Sequence, residues 1–146
     1  MEHFFISEII FRLFLASILG AIIGSERSFF KKQAGVRTFA LVSLSAALFS
    51  YLGVTIDDVS KSRVLSNIVV GVGFLGAGVI FLSEQKIIGL TTAAALWITT
   101  AIGASIGLGF YIEAIFSTIL SLIILLGFYK IEYFIRKESE HIQNNE

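Results

Sequence analysis

The sequence predicts an all-α integral membrane protein, a compact bundle of about five transmembrane helices. Three observations carry this. The mean hydropathy is +0.86. Charged residues make up only 15% of the 146 residues, where soluble domains average about 25%. Those charges also divide the chain into apolar stretches of the size needed to cross a bilayer, about 20 residues each.

Each span follows from the charge punctuation. Ile9–Gly24 carries only Arg12, and Thr38–Ile56, Val64–Ser83 and Ile87–Ile112 carry no charge. Ala114–Tyr129 is also uncharged and extends back past Glu113 to Phe110. Within the fourth stretch Gly89-Leu90-Thr91-Thr92 reads as a loop entering a helix, with Thr91 as N-cap. Gly107-Leu108-Gly109 supplies the turn into the fifth span. The expected spans are 6–24, 37–54, 64–82, 92–107 and 110–130. Residues 1–131 then form the transmembrane domain and 132–146 a short polar cytoplasmic tail. Glu2 and Glu8 precede the first base, unlike the basic opening of a signal peptide, so the first span is expected to be retained.

Lys and Arg in the loops set orientation. With five spans, eight bases fall on the side of the first and third loops and the C-terminus, against two, Lys61 and Arg63, on the other. The N-terminus is therefore expected outside and the C-terminus in the cytoplasm.

Enzyme chemistry finds no support. There is no Cys, the histidines His3 and His141 sit near opposite termini, and no Ser has a base in a recognisable pattern. No cofactor is implied. Formal net charge is zero, so no basic field attracts nucleic acid. Gly71-Val72-Gly73-Phe74-Leu75-Gly76 matches a dinucleotide-binding pattern but lies inside an uncharged span, without the strand and acid that such a site needs.

Small residues draw membrane helices together, because they let backbones approach in a solvent as apolar as the side chains. Gly20 and Gly24, Gly103 and Gly107, and the group Gly73, Gly76 and Gly78 are the expected packing positions. They serve packing within one bundle, a homo-oligomer contact, or both. Another membrane protein is a further partner such faces allow, beside the bilayer itself.

Charges at membrane depth are costly and mark function. Arg12 lies four residues after Glu8, the favoured order for a helical ion pair; alternatively it reaches back to the interface. Glu26 is the one acid among the bases of the first loop and is placed to pair with Arg27 or Arg37. The expected charged core is Arg12, Glu26, Arg37 and Arg63. Asn67, Thr91 and Thr92 need polar partners, and Trp97 has the bulk to fill a gap beside small residues. Asp57 and Asp58 offer carboxylates to a hard cation such as Mg²⁺, although two adjacent aspartates more often form a solvated turn and helix cap.

Together these residues resemble the MgtC/SapB family of bacterial inner-membrane proteins. The resemblance rests on Arg12-Leu13, Leu19-Gly20-Ala21, Ile23-Gly24-Ser25-Glu26-Arg27, Ala34-Gly35-Val36-Arg37-Thr38, Ala46-Ala47-Leu48-Phe49 and Ser62-Arg63-Val64. It continues through Gly71-Val72-Gly73-Phe74-Leu75-Gly76-Ala77-Gly78 and Gly89-Leu90-Thr91-Thr92-Ala93-Ala94-Ala95-Leu96-Trp97. The family often has His where Phe39 stands, Gly for Ser45 and Gln for Asn67. Many members also carry a cytoplasmic C-terminal module, and this sequence reads as a short form without it. The resemblance implies a modulator of membrane ion homeostasis, linked to adaptation to low magnesium and, in pathogens, to virulence. A small ion transporter or channel subunit is the alternative.

Overall fold

The computed structural model describes residues 2–56, 58–83 and 86–143. Five helices follow in order: α1 (Glu2–Phe29), α2 (Val36–Ile56), α3 (Asp58–Val79), α4 (Leu90–Leu108) and α5 (Tyr111–Gln143). A short hairpin, β1 (Phe81–Ser83) and β2 (Lys86–Ile88), joins α3 to α4. All five helices contain a segment long and apolar enough to cross a membrane, from 19 to 24 residues. α5 continues as helix through the polar stretch from Glu132 to Gln143.

The turns are built from particular side chains. Ser28 lies near the end of α1, and its Oγ accepts the Val36 N–H at 3.1 Å, capping the start of α2. Gly35 leaves room for this cap, since a Cβ there would displace the Ser28 hydroxyl. At the end of α4, Gly109 is left-handed at φ 90. Its N–H donates to the Ile106 carbonyl, and the Phe110 N–H donates to that of Ser105. This double bond pattern closes a helix end at a glycine.

Three sequence expectations change. The third span was expected to reach residue 82, but α3 stops at Val79 and Phe81–Ser83 pairs antiparallel with Lys86–Ile88. A short apolar run reads alike in helix and strand, so Ile80-Phe81-Leu82 hid the break. Thr91 was expected as N-cap; instead Gly89 holds that position at φ 93, without a side-chain cap. Any Cβ at Gly89 would collide with the Val79 carbonyl, so only glycine fits this return. Trp97 was expected to fill a gap. It remains 48% exposed, with one ring edge near Gly76.

The core lies where α1, α2 and α4 meet. α4 is the central element, with 61% of its span buried against 11% for α3. Ala16, Leu19 and Ile23 of α1, Phe39 and Ala47 of α2, and Leu96, Ile102 and Ile106 of α4 form one buried cluster. The large residues Phe14, Val70, Phe74, Ile112, Phe116 and Ile123 point outwards. In water such a surface would be an aggregation hazard; in a bilayer it meets its own kind.

The glycines divide sharply. A Cβ on Gly103 would strike the Ser43 carbonyl, and one on Gly107 the Ala47 carbonyl. On Gly20 it would come within 2.7 Å of Ser43 Cβ, and on Gly24 within 2.7 Å of Val36 Cα. These four let α1 and α4 press against the backbone of α2. Gly76 has ordinary contact with Ala93. Gly73 and Gly78, expected to pack, have nothing within 4 Å of a Cβ; they face outwards from α3. Gly103→Ala should therefore lower stability by about 1–3 kcal/mol through overpacking, whereas Gly73→Ala should be neutral or slightly stabilising, since alanine has the higher helix propensity. Thermal unfolding of the two variants in one detergent checks this.

Candidate functional site

Two arginine-centred polar clusters lie at opposite ends of the α1 span. The first is built on Arg12. Its Nη2 donates to the Glu8 carboxylate one helical turn earlier. Its Nη1 reaches across to α4 and donates to the Gly107 carbonyl at 2.6 Å. The closure at Gly109 uses the carbonyls of Ser105 and Ile106 and leaves that of Gly107 open. A cation there also meets the negative end of the α4 dipole. The guanidinium lies 5.7 Å from the ring centre of Tyr51 and 5.8 Å from that of Tyr111, within range for cation–π attraction. Phe11 packs edge-on against Tyr111 at 5.9 Å. Arg12 thus turns into the bundle and joins α1, α2, α4 and the start of α5.

The second cluster ends α1. Glu26 and Arg27 are buried and paired side by side. Arg27 Nε donates to Glu26 Oε2, and Nη2 to Oε1 at 2.5 Å. The remaining Nη1 is buried and has no partner among the described residues. Beside this end of the bundle, the buried Thr92 donates to Gln33 Oε1 at 2.9 Å, tying the α1–α2 loop to the first turn of α4. Phe30 stacks on Tyr129 at 4.8 Å, which brings α5 to the same end.

Between the clusters runs a seam of buried hydroxyls. Ser43 and Ser50 on α2 and Thr99 on α4 have no hydrogen-bond partner among the described residues. Thr100 and Thr118 return their hydroxyls to carbonyls four residues back.

The structure rearranges the charged set. Arg12 and Glu26 lie in different clusters, about 21 Å apart along α1 at 1.5 Å per residue. Glu26 takes Arg27 as its partner. Arg37 and Arg63 are exposed and belong to neither cluster. Asn67 and Thr91 are exposed, and Thr92 is buried. Asp57 lies outside the described residues, as does the side chain of Asp58. Among the described residues no group of three metal-ligating side chains converges. Arg27 was expected only as one of two partners for Glu26, and Gln33, Tyr51 and Tyr111 were not singled out from sequence. Tyr51 and Tyr111 carried a usable signal, since an aromatic with a polar tip near a span end suits a charged neighbour.

Residues 13–134, from within the first span to beyond the end of the fifth, match the sequence model of the MgtC family. This chain belongs to the MgtC family. It is 38% identical over 146 residues to YhiD of Escherichia coli (strain K12), covering 94% of this chain and 68% of YhiD. It is 42% identical over 121 residues to MgtC of Salmonella typhimurium (strain LT2), covering 83% of this chain and 52% of MgtC. SrpB of Synechococcus elongatus is 39% identical over 137 residues, covering 84% of this chain and 75% of SrpB. No solved structure matches this MgtC-family chain.

The buried pair invites a stability test. Arg27→Leu strands the Glu26 carboxylate, and breaking such a pair costs about 3–5 kcal/mol. Replacing both members by leucine removes the stranded charge and should recover most of that loss. Chemical unfolding of the single and double variants in a fixed detergent distinguishes the two outcomes.

Proposed function

We propose that this MgtC-family protein is a membrane-embedded modulator of ion homeostasis that serves adaptation to low magnesium and, in a pathogen, virulence. It acts through helix contacts with a second copy of itself or with another membrane protein. The loop charges favour an N-terminus outside and a C-terminus in the cytoplasm, and the bacterial relatives favour a bacterial inner membrane. The observation that carries the reading is the state of the two acids within the first span, Ile6–Phe29. Glu8 and Glu26 are each neutralised by an arginine, so neither is free to ligate a passing divalent cation. What the bundle offers instead is a stiff, arginine-fastened frame with extensive outward faces. The names of its relatives connect the family with magnesium.

A second reading, a small ion transporter or channel subunit, is favoured by the unpartnered hydroxyls of Ser43, Ser50 and Thr99, which a hydrated path would satisfy. YhiD of strain K12 bears a provisional name as a magnesium transporter.

Growth of a deletion strain across a magnesium titration tests the first reading. Failure only at low magnesium is expected, with rescue by the intact gene and not by Arg12→Ala or Glu26→Gln. Normal growth at every magnesium level would remove the proposed role. The readings separate in proteoliposomes: magnesium-dependent cation flux by the purified chain favours transport, and its absence favours modulation.

A further inference from the structure

α2 and α3 meet closely at one end, where a Cβ on Gly53 would lie 3.1 Å from Val64 Cβ. From there a lipid-facing groove runs between them, with a cavity volume of about 430 Å³. Leu41 and Phe49 form one wall, and Ile68 and Leu75 the other. Thr100 of α4 also lines it, with its hydroxyl already committed to the Leu96 carbonyl at 2.8 Å. Gly71 lines the groove with nothing within 4 Å of a Cβ, so the space beside it is open. The groove is therefore apolar along most of its length.

Its polarity is graded. Asn67 lines it and is exposed, and an amide at this depth needs a polar partner. Beyond the Val64 end stand two bases. Lys61, seven residues before Ile68, continues the groove face of α3, and Arg63 stands one turn before Asn67. Along α3 the order is base, amide, open apolar channel. Arg63 to Asn67 is about 6 Å and Asn67 to Leu75 about 12 Å, at 1.5 Å per residue. A phospholipid presents the same sequence from the membrane surface inwards: phosphate, ester, acyl chain.

We propose that this groove is a binding site for an anionic phospholipid. One acyl chain lies between α2 and α3 beside Gly71, the ester accepts from the Asn67 amide, and the phosphate sits at Lys61 and Arg63. The graded polarity selects a lipid over a second protein helix, which would bring no phosphate to the bases. Arg37 extends beyond the opposite, Leu41 end, where Ser45 lines the groove with a single hydroxyl and no amide, so the headgroup belongs at the Lys61 end, where two bases and an amide follow one another.

The test is native mass spectrometry of the full chain, titrated with phosphatidylglycerol or phosphatidylcholine of identical acyl chains. The intact protein should retain phosphatidylglycerol preferentially. The Lys61→Gln/Arg63→Gln variant, altered only at positions outside the core, should lose most of that preference, about tenfold or more for two charges at a membrane surface. Arg37→Gln should leave it unchanged. Gly71→Phe, which fills open space, should keep the intact protein's unfolding temperature and lose the bound lipid. Equal retention of the two lipids by the intact protein would overturn the proposal. So would full lipid retention by a folded Gly71→Phe variant, or a dimer that occupies the groove in place of lipid.

Discussion

The approach of two helices to the backbone of a third governs this fold. Inside a bilayer, apolar side chains gain nothing by leaving lipid for one another, so helix association depends on contact and hydrogen bonding. Gly20 and Gly24 of α1 and Gly103 and Gly107 of α4 supply that contact against Phe39, Ser43, Ala47 and Ser50 of α2. The side chains that fill the remaining space, Ile23, Phe39, Leu96 and Ile106, are almost wholly buried. α3 and α5 sit around this triple, and their outer faces stay apolar and open.

The arginine clusters finish what the glycines begin. Glycine contacts fix how near the helices lie but resist axial sliding weakly. Arg12 adds a directional bond from α1 to the end of α4, where the closure at Gly109 leaves the Gly107 carbonyl free. At the other end Thr92 and Gln33 tie the α1–α2 loop to α4. Charges buried in this way are costly unless satisfied, and both arginines are paired with a glutamate. One frame of this kind suits a protein whose neighbours bind its flanks, and the polarity gradient beside α3 suggests lipid among those neighbours.

Much of this was legible in the sequence. Charges separate the first four spans, and the Gly107-Leu108-Gly109 turn divides the fourth from the fifth. The turn at Gly109 was visible because glycine ends helices. The partner of Arg12 along its own helix followed from the spacing to Glu8. What sequence could not supply was the identity of facing neighbours. Gly73 and Gly78 look like packing residues in the same way as Gly103 and Gly107, yet only the latter pair meets another backbone. Arg27 and Arg37 were equally placed to pair with Glu26, and only the folded chain shows that the adjacent Arg27 takes it. The hairpin after α3 was concealed because its first strand, Phe81–Ser83, continues the apolar run of the helix.

The most direct measurement is a carbon–carbon correlation by solid-state NMR on the protein in lipid bilayers. Selective labels at glycine Cα and serine carbonyl carbons would reveal interhelical neighbours. Cross-peaks from Gly20 and from Gly103 to Ser43 are expected, with none from Gly73 to another helix. Interhelical peaks at Gly73 together with silence between Gly103 and Ser43 would contradict the packed core of α1, α2 and α4.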